Sequence, residues 1–131
     1  PAGIAESGRD AFAMSGLGPR DIQHAQLYDA FSFNPLLLLD RLGFATPTQA
    51  ADWFHSGRTS PGGDFPVNTY GGLIGYGHTG DASGMSMLVE GARQVMGADP
   101  DRQVAAETAL IHTYGGMLAE HCTLILGRQA L

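Results

Sequence analysis

Residues 66–84 read Pro66-Val67-Asn68-Thr69-Tyr70-Gly71-Gly72-Leu73-Ile74-Gly75-Tyr76-Gly77-His78-Thr79-Gly80-Asp81-Ala82-Ser83-Gly84. Glycines at this density let the backbone turn sharply and approach a ligand closely. The irregular stretch around them runs from Ser56 to Gly80. Compact domains seldom leave more than about 15 residues without regular structure unless the segment is functional or disordered. Phe65, Val67, Leu73 and Ile74 are apolar, so this loop is expected to be packed and functional. Downstream, residues 82–96 carry a helical pattern and Gly97 to Arg102 a turn. Thr108 to Thr113 and His121 to Leu126 are continuous β-rich runs, expected as two buried strands joined through Tyr114-Gly115-Gly116. Upstream, Ala11, Met14 and Leu17 place a helix over residues 6–17, which Gly18-Pro19 stops. His24 to Tyr28 is a short strand. Asn34 as N-cap and Pro35 as first helical residue predict a helix to Leu42, and the four leucines from Leu36 to Leu39 bury it on more than one side. Thr46-Pro47 opens the next helix, over 48–54. The order predicts an α/β fold with a mixed sheet between helix layers.

Composition narrows the function classes. The chain has 131 residues, which suits one domain or part of a larger one. Its seven basic residues are all Arg and the net charge is −6, so no nucleic-acid stripe is expected. Charged residues make up 15 % of the chain, below the usual ~25 %. Part of the surface is therefore expected to be covered, and a homodimer through a low-charge face is one expectation. Cys122 is the single cysteine, which excludes an internal disulfide framework and points to a reducing, cytoplasmic compartment. No run approaches the ~18 apolar residues of a membrane span, and no secretory leader is apparent. The five histidines and one cysteine lack zinc-ligand spacing, so no metal is expected. The chain opens on Pro1 and is read as part of a longer protein.

Several segments in this order resemble the C-terminal half of thiolases. Leu27-Tyr28-Asp29-Ala30-Phe31 is similar to that family's Asn-Glu-Ala-Phe segment. Residues 66–74 are similar to its Asn-x-x-Gly-Gly loop. Gly77-His78 with Ala82-Ser83-Gly84 resembles its Gly-His-Pro-x-Gly-Ala-Ser-Gly motif. Gly115 to Leu126 resembles the last hairpin of the lipid-transfer-type members. The resemblance implies that all 131 residues form a thiolase-like C-terminal domain, and that the nucleophilic cysteine belongs to an N-terminal half absent from this sequence. It implies an acyltransferase that makes or breaks a carbon–carbon bond next to a coenzyme A thioester. An acyl-CoA substrate follows, with no permanently bound cofactor. It also implies the N-terminal half as partner, and an OB-fold subunit as in lipid-transfer-type members. A retro-aldol lyase on steroid side-chain CoA esters and a non-catalytic lipid- or CoA-binding module are the alternatives.

The departures from the pattern matter. The family's second catalytic cysteine is replaced at the hairpin by Tyr114 or a neighbour, and Cys122 lies eight residues later. The family's water-holding Asn is Tyr28, the motif Pro is Thr79 and a motif Gly is Asp81. The related aldolases can carry a Tyr for the motif His and another near the position of Glu120. Retention of His78 sets this chain nearer the acyl-transferring members on that point.

The residues assign themselves to roles on this basis. Imidazole is the side chain that exchanges protons near neutral pH, and His78 sits in a glycine hinge before a helix start, so it is the expected base. Tyr28 is expected to orient a carbonyl or a water. Glu120 and His121 are candidates for a second acid or base, and only one of two successive strand residues faces a given side. Gly71, Gly72, Tyr76 and Gly77 are expected along the pantetheine arm, with Tyr114, Gly115 and Gly116 supplying an oxyanion-binding turn. Tyr70 either lines the acyl channel or packs against it. His24 and His112 are expected to be structural, His55 to neutralise a helix end, and Cys122 to be a small buried apolar group.

Overall fold

The structure, a computed structural model, describes residues 2–128. Its elements are α1 (Ala2–Ser15), β1 (His24–Leu27), α2 (Asn34–Arg41), α3 (Pro47–His55), α4 (Gly72–Tyr76), α5 (Ser83–Met96), β2 (Thr108–Gly115) and β3 (Glu120–Gly127). The sheet order is β1-β2-β3, with β1 parallel to β2 and β2 antiparallel to β3. Register places Ile111 and Thr113 on one face and Leu110, His112 and Tyr114 on the other. Helix α5 covers the first face. Gly91 lets it approach so closely that a Cβ there would lie 2.9 Å from the Ile111 side chain. Helices α1 and α2 cover the second face, where Ser7 bonds Thr123 at 2.8 Å and Gly8 abuts Leu42. The expected α/β mixed sheet between helix layers is therefore present. The core between the layers holds Ile4, Leu27, Leu38, Leu39, Met87 and Leu110, all fully buried.

Differences from the sequence expectations have local causes. Helix α1 starts earlier than expected and ends at Ser15, because Gly16 takes a left-handed φ of 71°. Asn34 is not a cap. Phe33 holds that position without a side-chain bond, and the Asn34 amide is used elsewhere. Helix α3 has the anticipated start, with Thr46 and Gln49 forming a reciprocal capping box.

The expected hairpin turn at Tyr114-Gly115-Gly116 shifts. Tyr114 and Gly115 are paired in β2, and the tip is residues 116–119. Strand β3 is not buried as expected. It forms the sheet edge, and Cys122 is exposed rather than packed inside.

The long loop is indeed packed. Phe65, Val67 and Leu73 are buried, although Ile74 is 61 % exposed. Val67 makes a parallel bridge to Ala25. The Asn68 carboxamide then imitates one more strand residue, accepting from the Leu27 amide at 2.7 Å and donating to the Leu27 carbonyl at 2.8 Å. Asn tolerates the left-handed φ of 52° this requires. The loop is thereby stitched to the end of β1, immediately before Tyr28.

Candidate active site

The site lies outside the carboxyl ends of the parallel strands β1 and β2, where ligands bind in open α/β sheets. It is a crevice of about 610 Å³. Tyr28 and Phe31 enter from the segment after β1, His78 and Asp81 from the glycine loop, and Tyr114 and Gly116 from the hairpin. The Tyr28 hydroxyl and His78 Nε2 are 3.0 Å apart, and the Tyr28 and Tyr114 rings pack with centroids 4.6 Å apart.

Two fixed donors decide where the protons point. The Gly80 amide donates to His78 Nδ1 at 3.1 Å. A nitrogen that accepts carries no proton in the neutral ring, so the proton sits on Nε2 and is donated to the Tyr28 oxygen. The Tyr28 hydroxyl proton is left free for a third group. Tyr114 repeats the arrangement, because its oxygen accepts from Asn34 Nδ2. Burial pushes the Tyr114 phenol up, and the nearby Tyr28 and Asp29 push it the same way against the Asn34 bond, which lowers it. It therefore stays protonated at neutral pH. The crevice thus offers two oriented phenols, each with its oxygen held by a nitrogen donor. Such donors suit an oxygen on which negative charge develops.

Asp29 braces this arrangement. It is buried, and its carboxylate accepts from the Leu73 amide at 2.7 Å and more weakly from the Ile74 amide at 3.5 Å. Gly72 has φ 66°, and a Cβ there would lie 2.7 Å from the Asp29 carboxyl carbon. A glycine is needed for this approach. Gly72→Ala is expected to lower the stability of the full-length protein by about 2 kcal/mol or more, since left-handed strain and overpacking add. Urea unfolding checks this; an unchanged midpoint would remove the account.

The structure brings together His78, Tyr28, Tyr114, Gly115 and Gly116, all of which line the crevice. The other candidates lie elsewhere. Gly71 is exposed, Gly72 is buried against Asp29, and neither lines the crevice. Gly77 turns with φ 126° beside it without lining it. Tyr76 lines a separate groove with Tyr70, Met85 and Val89. Glu120 is exposed at the start of β3, on the opposite face from His121. His121 packs between α1 and His112, with Nε2 3.0 Å from the Leu118 carbonyl. Neither Glu120 nor His121 lines the crevice.

His24 and His112 are fully buried, as structural histidines would be. Sequence reasoning missed Asn34, Asp29 and the Gly80 amide, whose roles depend on contacts between distant segments. It also missed an apolar slot of about 270 Å³ that opens off the crevice between Phe33 and Leu118, sharing Phe31, Tyr114 and Met117 with it. Among the described residues no group of three His, Cys, Asp or Glu is placed to hold a metal ion, and no helix is long and apolar enough to cross a membrane.

Parallel strands whose carboxyl ends face a loop imidazole and two phenols, with α5 packed on the sheet, define an α/β domain with a polar crevice. The chain belongs to the thiolase family: a family pattern described as thiolase C-terminal domain-like matches residues 1–128. It is 38 % identical over 109 residues to an acetyl-CoA acetyltransferase of Methanothermobacter thermautotrophicus, covering 82 % of this chain and 28 % of that protein. It is 38 % identical over 104 residues to the 17-hydroxy-3-oxo-4-pregnene-20-carboxyl-CoA lyase of Mycobacterium tuberculosis, covering 79 % of this chain and 26 % of the lyase. A solved structure titled Ltp2-ChsH2(DUF35) aldolase superposes with a TM-score of 0.82 at 33 % identity, over 95 % of this chain and 31 % of that one. The chain thus spans little more than a quarter of the length of these two curated relatives.

Proposed function

We propose that this domain supplies the enolate-stabilising half of an enzyme that makes or breaks a carbon–carbon bond beside a coenzyme A thioester. The observation that carries the reading is the 3.0 Å contact between the Tyr28 hydroxyl and His78 Nε2, with Nδ1 already occupied by the Gly80 amide. When the bond beside a thioester breaks, its electron pair moves onto the thioester oxygen. Tyr28 and Tyr114 are oriented to donate to that oxygen. Proton exchange with the substrate then runs through the Tyr28 hydroxyl, while the His78 Nε2–H behind it holds the Tyr28 oxygen. In this proposal the direct-base role expected of His78 passes to Tyr28, with His78 supporting it.

A specific observation favours retro-aldol cleavage over thiolysis. Tyr114 stands at the hairpin where thiolysis would use a second thiol, and the chain's one thiol, Cys122, is exposed on β3 outside the crevice. Retro-aldol cleavage needs no thiol: the β-hydroxyl proton passes to the Tyr28 oxygen as the Tyr28 proton passes to the thioester oxygen, the carbonyl product departs, and the enol left behind delivers that proton to its α-carbon. The slot beside Phe31 and Phe33 suits an apolar acyl group.

The remaining parts of the proposal concern the whole protein. Ile74, Tyr76, Met85 and Val89 are each at least 50 % exposed, and this apolar face is where we place the N-terminal half. A homodimer, an OB-fold partner subunit and a reducing, cytoplasmic setting for the exposed Cys122 belong to the same proposal. The test is an assay of the intact protein, with any partner subunit, on a β-hydroxyacyl-CoA and on a 3-ketoacyl-CoA plus free coenzyme A. Cleavage of the hydroxy ester is the expected result. Thiolysis alone would return the assignment to an acyltransferase, and turnover of neither would leave a binding module.

A further inference from the structure

We propose that His121 is a positioning residue that latches the strained hairpin tip against the crevice, through a hydrogen-bond chain of defined direction. The proposal rests on the functional reading above for its kinetic consequence only. At the tip, Gly116, Met117 and Leu118 take successive left-handed φ values of 55°, 55° and 68°. Side-chain-bearing residues seldom adopt that region, and they hold it only where surrounding contacts overdetermine it. The tip closes on itself through the Ala119 amide and the Gly115 carbonyl at 3.1 Å. Gly115, Gly116 and Met117 line the crevice, so the tip's conformation sets part of the site's wall.

The second restraint comes from behind. His121 Nε2 lies 3.0 Å from the Leu118 carbonyl, and its Nδ1 lies 3.3 Å from His112 Nε2. His112 Nδ1 lies 2.8 Å from the Thr123 hydroxyl, which lies 2.8 Å from the Ser7 hydroxyl on α1. A carbonyl can only accept, so His121 Nε2 must carry a proton. In the neutral ring Nδ1 then accepts, which obliges His112 Nε2 to donate. His112 Nδ1 accepts from Thr123, and Thr123 from Ser7. One boundary condition orients all four links and leaves no donor facing a donor. The His121 ring is wedged, because a Cβ on Gly3 would lie 2.6 Å from its Cδ2 and it stacks on His112 at 5.4 Å between centroids. Helix α1 is thus coupled to the crevice wall through a chain that never enters the crevice.

Two substitutions separate latching from packing. His121→Phe keeps the ring between Gly3 and His112 but has no donor. His121→Gln loses the ring but places an amide N–H near Nε2. In the full-length enzyme, His121→Phe is expected to lower kcat about tenfold with KM within about twofold, as a misplaced wall would, and His121→Gln to recover most of it. The reverse order, or no change in either variant, overturns the proposal. A third measurement is independent of activity and of variant folding. In ¹⁵N-histidine NMR of the wild-type protein at pH 8, both His121 and His112 are expected as the Nε2–H tautomer. A neutral His121 protonated on Nδ1 sinks the latch even if the enzyme cleaves carbon–carbon bonds. Absence of that activity with the expected tautomers would instead count against the functional reading alone.

Discussion

Replacing Tyr28 by Phe in the full-length protein is expected to lower kcat by about 10²-fold or more, the usual scale for a group that moves a proton in the transition state. The substitution removes one oxygen and keeps the ring packed against Tyr114, so the fold is expected to survive. His78→Ala is expected to cost a similar factor, because His78 acts through the Tyr28 oxygen at 3.0 Å. Two groups that act as a unit do not add. The double variant is therefore expected near the worse single variant rather than at the product of the two. Steady-state kinetics on the hydroxyacyl-CoA substrate read all three. A Tyr28→Phe enzyme with more than a third of wild-type kcat would remove the phenol from the chemistry, and full additivity would break the pair.

Acid is expected to destabilise the fold through two buried imidazoles. Burial pushes His24 down to about 4, with the nearby Glu90 opposing it only in part. Burial likewise pushes His112 down to about 4, and His121 pushes in the same direction. The unfolded chain titrates these groups near the ordinary histidine value of ~6.5. Between the two values the unfolded chain binds more protons than the folded one, so stability falls as pH falls. The contribution is fully present above about pH 7. It is lost toward pH 4, by about 3 kcal/mol for each histidine at the limit. Denaturant unfolding of the full-length protein from pH 7.5 to 4.5 measures this, with a slope approaching two protons. A flat profile between pH 7 and pH 5 would show that the rings are not held neutral.

Glu90 adds to the same region from the carboxylate side. Burial alone would raise it, but bonds from Thr69, Gln94 and Arg102 outweigh that and hold it below the ordinary range.

Much of the architecture was legible from local rules. The capping box at Thr46, the helix after Gly80 and the two final strands follow from cap chemistry and side-chain periodicity, which act over a few residues. The glycine run announced a close backbone approach, but not to what. At Gly72 the approach is made by Asp29, which is 43 residues away in the sequence. An Asn before Pro signals a helix cap by local rules, and Asn34 does not act as one. Its amide instead holds Tyr114, 80 residues distant.

The order of residues already specified an α/β domain with a histidine in a glycine hinge, and it carried the family likeness in its motifs. Which of the candidate residues meet is a matter of long-range packing. It joined Tyr28 to His78, set Tyr114 beside them, and turned His121 and Glu120 away. The reason is one of range: caps, turns and periodicity act between near neighbours, whereas proton direction and the exclusion of a side chain from a crevice depend on contacts between distant segments.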